Sequence, residues 1–127
     1  MKLLLDTHTF IWYVNGDVSI SENARELIEN PSNEKHISIA SLWEMAIKIS
    51  VGKLTIKGGI RKSLDDISLN NFLLLPILPD HLTIIESLLF HHRDPFDRLI
   101  VAQAICENIS ILSKDPNFKK YKVNVLW

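Results

Sequence analysis

LLLDTHTFIWYV, Leu3 to Val14, changes its period part-way along. Leu3 to Leu5 is an unbroken apolar run, the pattern of a strand covered on both faces of a parallel sheet. From Thr7 onward the apolar residues return at helical spacing. Asp6 is the polar residue at the change. The same change recurs where HISI, centred on Ile37, runs into ASLWEMAIKIS, a helix that ends near Gly52. Strand passing directly into helix, repeated along one chain, predicts an α/β fold with a central, mainly parallel sheet and helices on both faces.

The remaining segments fit that frame. SISENARELIEN reads as an amphipathic helix opened by Ser and Glu. A helix is predicted around Ser63 to Leu69, a buried strand at FLLL (Phe72 to Leu75), and a helix from about Asp80 to Phe90. Another helix, Pro95 to about Glu107, leads to strand ISIL, the loop SKDPNF and a last short strand at Val123 to Val125. The 127 residues, 46% hydrophobic and 23% charged, suit a single domain spanning 1–127. The longest nearly apolar run, FLLLPILP from Phe72 to Pro79, is far short of the roughly 20 residues that cross a bilayer. Asp6 and His8 interrupt the early leucines before a signal-peptide core can form, so a cytoplasmic protein is expected. Cys106, the lone cysteine, lies among apolar residues and is expected to be a buried, reduced thiol. A formal net charge of −1 excludes holding nucleic acid by bulk attraction. A polyanionic partner needs local basic residues or metal ions.

Chemistry in parallel sheets collects at the carboxyl ends of the strands. Asp6 follows the first strand, Glu44 lies one turn into the helix after the second, Asp97 opens the late helix, and Asp115 follows ISIL. All can therefore meet at one edge. Each has an ordinary explanation alone: Asp6 as a helix cap, Glu44 facing solvent, Asp115 starting a turn before Pro116. In HHRDPFDRLIVAQA, Asp94 serves as N-cap, Pro95 as first helical residue, and Asp97 as an acid favouring the positive end of the helix dipole. Together they read differently, because converging carboxylates repel and raise one another's pKa unless a cation is present. The candidate ligands are all oxygen, with no Cys or His cluster at zinc spacing, which favours Mg²⁺ or Mn²⁺.

LLLDTHTFIW, SIASLWEMAIK, HHRDPFDRLIVAQA and ILSKDPNFKKYKV, in this order and near this spacing, resemble the PIN-domain family, and specifically its VapC-type toxin ribonucleases. The resemblance runs from Leu3 to Trp127. It implies a three-layer α/β/α fold that gathers acids around Mg²⁺ or Mn²⁺ and hydrolyses RNA. It places the family's metal-binding, catalytic acids on Asp6, Glu44, Asp97 and Asp115, and it implies an inhibitory antitoxin partner and a homodimer. Asp94 precedes the matched acid and stays an N-cap. A metal-activated water needs no ribose 2′-hydroxyl, so the preference for RNA comes from the resemblance alone.

Around the acids, Arg93, Arg98 and Lys48 are candidate phosphate contacts, although Lys48, four residues after Glu44, has an intrahelical pair as its default. Lys114, Lys119, Lys120 and Lys122 would extend a backbone-binding surface if they are more than solvated lysines. His8 is a candidate for substrate or water contact and equally for a structural hydrogen bond at the helix start. His91 and His92 shape their loop, and Ser38 and Ser41 are candidates to support the site. Trp12 and Trp43 read as packing residues in preference to base-stacking ones. A non-catalytic PIN-like module that binds nucleic acid or protein is the alternative. A receiver-like signalling domain is disfavoured, because Thr7 and His8 follow Asp6 where that fold wants adjacent acids, and FLLLPILP ends without one. A phosphatase with an aspartyl nucleophile would place an acid where His8 stands.

Overall fold

The first strand, β1 (Lys2–Leu5), lies at the centre of a five-stranded, all-parallel sheet in a computed structural model that describes residues 1–127. In chain order it is followed by α1 (Thr7–Asn15), α2 (Glu22–Glu29), β2 (Glu34–Ser38), α3 (Ile39–Ser50), α4 (Gly59–Leu69), β3 (Leu73–Leu75), α5 (Pro79–Ser87), α6 (Pro95–Glu107) and β4 (Ser110–Leu112). A 3₁₀ turn (Pro116–Lys120) and β5 (Val125–Leu126) complete it. The strand order is β3-β2-β1-β4-β5.

The unbroken leucine run has a direct cause. Side chains alternate across a strand, so Leu3 and Leu5 enter a core with Phe10, Ala24, Ile28, Leu42, Met45 and Ile67 from α1 to α4. Leu4 enters a second core with Ile100, Val101 and Ala104 of α6, Ile111 and Phe118. All three leucines are fully buried, and the sheet is the middle of three layers. Leu5 pairs in register with Ile37 of β2 and Leu112 of β4. The next residue on each strand, Asp6, Ser38 and Ser113, therefore stands at the same carboxyl edge.

Four helices begin on polar caps that satisfy otherwise orphaned backbone N–H groups: Asp6, Ser21, Ser38 and Asp94. Asp94 accepts the N–H groups of Phe96 and Asp97 at 2.9 and 3.0 Å, as read from DPFD. Several expectations shift. FLLL yields only a three-residue strand, and Leu73 and Leu74 stay 47% and 43% exposed because β3 is an edge with one neighbour. α4 starts at Gly59, ahead of Ser63; α5 stops at Ser87, short of Phe90; and the last strand sits at Val125–Leu126. Cys106 is exposed, not buried, because the covered stretch of α6 runs from Arg98 to Ala104 and Cys106 falls in the turn beyond it. No helix is long and apolar enough to cross a membrane.

Candidate active site

Asp6 ends β1 and caps α1, and its carboxylate is held at both oxygens. Oδ1 accepts the Thr9 N–H at 2.9 Å, and Oδ2 accepts the Ser113 hydroxyl at 2.5 Å. Ser113 in turn accepts the Asp115 N–H at 3.0 Å, while Asp115 Oδ1 caps the 3₁₀ turn by accepting the Asn117 N–H at 2.9 Å. One hydroxyl thus couples two of the sequence-matched acids. Burial pushes the Asp6 carboxyl above its ordinary range, and the Ser113 and Thr9 hydrogen bonds offset part of that rise.

Glu44 does not face solvent; it is 3% exposed. Its Oε1 accepts the Thr7 hydroxyl at 2.7 Å and its Oε2 the Lys48 ammonium at 2.5 Å. Lys48 therefore makes the intrahelical pair that its spacing favours. Ser41 lies 3.0 Å from the Thr7 hydroxyl. Ser38 donates to Gln103 Oε1 at 2.5 Å, and Gln103 Nε2 donates to the Pro76 carbonyl at 3.1 Å, tying the end of β2 to α6 and to the turn after β3. Both serines support the edge, as their positions suggested.

Asp97, in the first turn of α6, shows how closely the acids meet. Its carboxyl is pushed up to about 8, first by burial and then by the charges of Asp94, Asp6, Glu44 and Asp115. Below that pH, without a cation, it holds a proton. Its one partner is His92, whose Nε2 lies 3.3 Å from Oδ2. A chain of hydrogen bonds fixes that ring. The Arg98 guanidinium, which can only donate, reaches the Tyr121 hydroxyl at 3.2 Å; that hydroxyl, 2.7 Å from His92 Nδ1, gives its proton there. A neutral His92 then carries its own proton on Nε2, directed at Asp97. Burial lowers the His92 pKa, opposed by the charges of Asp94 and Asp115.

The remaining basic candidates separate. Arg98 is 4% exposed, stacks 3.9 Å over the Phe90 ring, and donates to the Leu88 and Leu89 carbonyls at 3.0 and 2.8 Å. It anchors the 88–94 segment and does not face the acids, since burying a guanidinium requires all these partners. Arg93, Lys114, Lys119, Lys120 and Lys122 are exposed. His91 lies edge-on to Tyr121 at 4.8 Å, and Trp43, 55% exposed, lies edge-on to Phe96 at 5.2 Å. His8, Trp12 and Lys114 line a cavity of about 400 Å³ that shares Asp6 and Asp115 with the acidic edge.

The donor set suits a hard cation. An oxygen-only group with one carboxyl pushed up to about 8, first by burial and then by the acids around it, is short of positive charge. No three of these acids bring their oxygens within 4.8 Å of one another, which fits an ion taking one or two carboxylates directly and keeping waters. His81, Cys106 and Glu107 do converge within 4.8 Å, yet they suit a metal less well. His81 Nδ1 accepts the Leu78 N–H at 3.0 Å, so Nε2 carries the proton that it donates to Glu107 at 2.9 Å, leaving no ring lone pair for an ion.

The edge described above sits within residues 3–124, over which the PIN domain family profile matches the sequence. The chain belongs to the PIN-domain family. A search of curated proteins by sequence finds no match. Solved structures share the fold at low identity. VapBC2 from Rickettsia felis, bound to a DNA fragment from its promoter, is 23% identical with a TM-score of 0.74, covering 100% of this chain and 99% of that one. DNA-bound VapBC from Salmonella typhimurium is 15% identical with a TM-score of 0.72, covering 99% and 97%. FitAcB from Neisseria gonorrhoeae is 16% identical with a TM-score of 0.65, covering 98% and 96%. The three-layer fold read from the sequence is thus the PIN fold. Thr7, which follows Asp6, and Ser113, two residues before Asp115, hold the acids without any motif that marks them; Tyr121 and Gln103 carry no local signal.

Proposed function

We propose that this PIN domain is a Mg²⁺- or Mn²⁺-dependent endoribonuclease of the VapC type, the toxin of a toxin–antitoxin pair acting in the cytoplasm. The observation that carries the reading is geometric: the parallel register sets Asp6 at the carboxyl edge of the sheet, Ser113 links it to Asp115, and buried Glu44 and the first turn of α6 with Asp97 belong to the same edge. Asp6, Asp97 and Asp115 would hold the ion, directly or through its waters, with Glu44 binding it or orienting a water. When bound, the ion lowers the pKa of water and neutralises charge developing on phosphate oxygens. Glu44, oriented by Thr7 and Lys48, accepts a hydrogen bond from the attacking water and aligns it with phosphorus. Water would add at phosphorus and give up one proton to solvent, the bond to the 3′ oxygen would break, and that oxygen would take one proton back from solvent, giving 5′-phosphate and 3′-hydroxyl ends. Arg93 and Lys114, both exposed, contact the RNA backbone; Lys48 acts through Glu44, and Arg98 holds the loop.

Antitoxin control is proposed from the likeness to VapBC, and a homodimer from the family resemblance. The test is cleavage of a permissive RNA with Mn²⁺ and with EDTA, with the product ends mapped. Metal-dependent cuts bearing 5′-phosphates are expected. Cyclic phosphates produced equally in EDTA would overturn the mechanism.

A further inference from the structure

We propose that the cavity beside the acids is a binding site for one unpaired nucleobase flanking the cleaved phosphate. The inference rests on the ribonuclease reading above. The cavity, about 400 Å³, is lined by Asp6, His8, Trp12, Lys114, Asp115 and Pro116. Asp6 and Asp115 share this cavity with Trp12, so a base adjoining a phosphodiester at the acidic edge is within the same cavity as the indole. His8 and Trp12 are one helical turn apart on α1, and their rings lie 5.8 Å apart at 45°. Together with Pro116 they give the cavity a largely apolar surface.

Trp12 is held in place for this task. Trp127 meets it edge-on at 6.1 Å, and part of the indole packs against the core of Phe10 and Leu112. Only the remainder is open to the cavity. A fixed aromatic surface beside a charged edge suits the π-face of a base, and stacking accepts any base. A base inside a duplex has both faces covered by its neighbours, so the site selects single-stranded RNA. Lys114, exposed and next to Asp115 in the lining, supplies a positive charge for the adjoining phosphate in a chain whose net charge is −1.

The test compares wild type, Trp12→Phe and Trp12→Ala in Mn²⁺ on a short single-stranded RNA, on the same RNA with one abasic nucleotide next to the cut, and on a duplex of equal length. Calorimetric titration with Mn²⁺ alone runs alongside. Loss of one stacked base corresponds to roughly a ten-fold change in affinity. Trp12→Ala should raise KM on intact single strands roughly ten-fold, leave KM on the abasic RNA near that of wild type, and keep the Mn²⁺ affinity. Trp12→Phe should remain close to wild type, and the duplex should be cut least by all three. Unchanged KM in Trp12→Ala, equal loss on intact and abasic RNA, or a loss traced to Mn²⁺ affinity would each overturn the base site. If wild type cleaves RNA and Trp12→Ala matches it, this inference falls alone; if wild type cleaves no RNA in Mn²⁺, the ribonuclease reading falls with it.

Discussion

The two ends of α6 carry ionisable side chains in opposite circumstances. At its last turn, Glu107 accepts the proton of buried His81, whose other ring nitrogen accepts the Leu78 N–H, so each polar group there has a partner. At its first turn, Asp97 has one histidine at 3.3 Å and four acids near enough to raise its pKa. One end ties α5 to α6 with its hydrogen bonds complete; the other sets a buried carboxyl among four further acids. Burial alone therefore does not mark a functional acid. What distinguishes Asp97 is that its surroundings oppose its charge, a condition that persists in a folded protein only where a cation or proton relieves it.

The widest break between the two ends should appear in activity. Asp97→Asn should lower metal-dependent RNA cleavage roughly a hundred-fold or more, the several kcal/mol expected from lost charge stabilisation. Asp94→Ser, which keeps a cap, should retain most of it. Equal loss in both variants would place Asp94 among the acting acids and redraw the comparison.

A smaller contrast lies in melting temperature. An ion that binds only the folded chain stabilises it by about 2.7 kcal/mol at a hundred times its Kd, a shift of several degrees. Wild type, Glu107→Gln and Asp65→Asn should show that rise with Mn²⁺, and Asp97→Asn should lose it. In EDTA the pH dependence should also differ. Asp97 has a folded pKa raised from 3.8 to about 8, so its contribution to stability is complete below pH 4 and is lost as the pH climbs toward 8. Asp6 shifts in the same direction, while His92, with a lowered pKa, opposes it below about its ordinary 6.5. Asp97→Asn should flatten the decline between pH 4 and 8 and melt above wild type at pH 8. A variant as pH-sensitive as wild type would move the repulsion elsewhere. Asp6→Asn is the poorer probe, since it removes the acceptor of the Ser113 hydroxyl.

The smallest effect belongs to the closed end. His81→Leu strands the Leu78 N–H and a Glu107 oxygen, and should cost about 1–3 kcal/mol by denaturant titration with the cleavage rate unchanged. Lost cleavage in a folded variant would show that the two ends communicate along α6.

What the sequence revealed follows from the range of each signal. Leu3 to Leu5, the DPFD cap and the strand-to-helix junctions are local patterns, and they were read correctly. Parallel topology sends every strand end to one edge, which is why Asp6 and Ser113 lie side by side although they are 107 residues apart. Arg98 was misjudged because its partners, Leu88, Leu89 and Tyr121, lie up to 23 residues away and share no pattern with it. Cys106 was misjudged because an apolar neighbourhood in sequence does not say which side of α6 is covered. His81 was overlooked for the same reason: its partner Glu107 is 26 residues on.

The strand order also sets a timetable. β1, made early, is central, and its neighbour β4 is made some hundred residues later. Asp6 is thus exposed on a growing chain long before Ser113 and Asp115 emerge to hold it. Because the central pairing is so distant in sequence, its closure costs loop entropy that the local helices do not pay. A ribosome-bound chain would carry most of the acids without their assembled edge, which forms only after Asp115 has left the exit tunnel and β4 has docked beside β1.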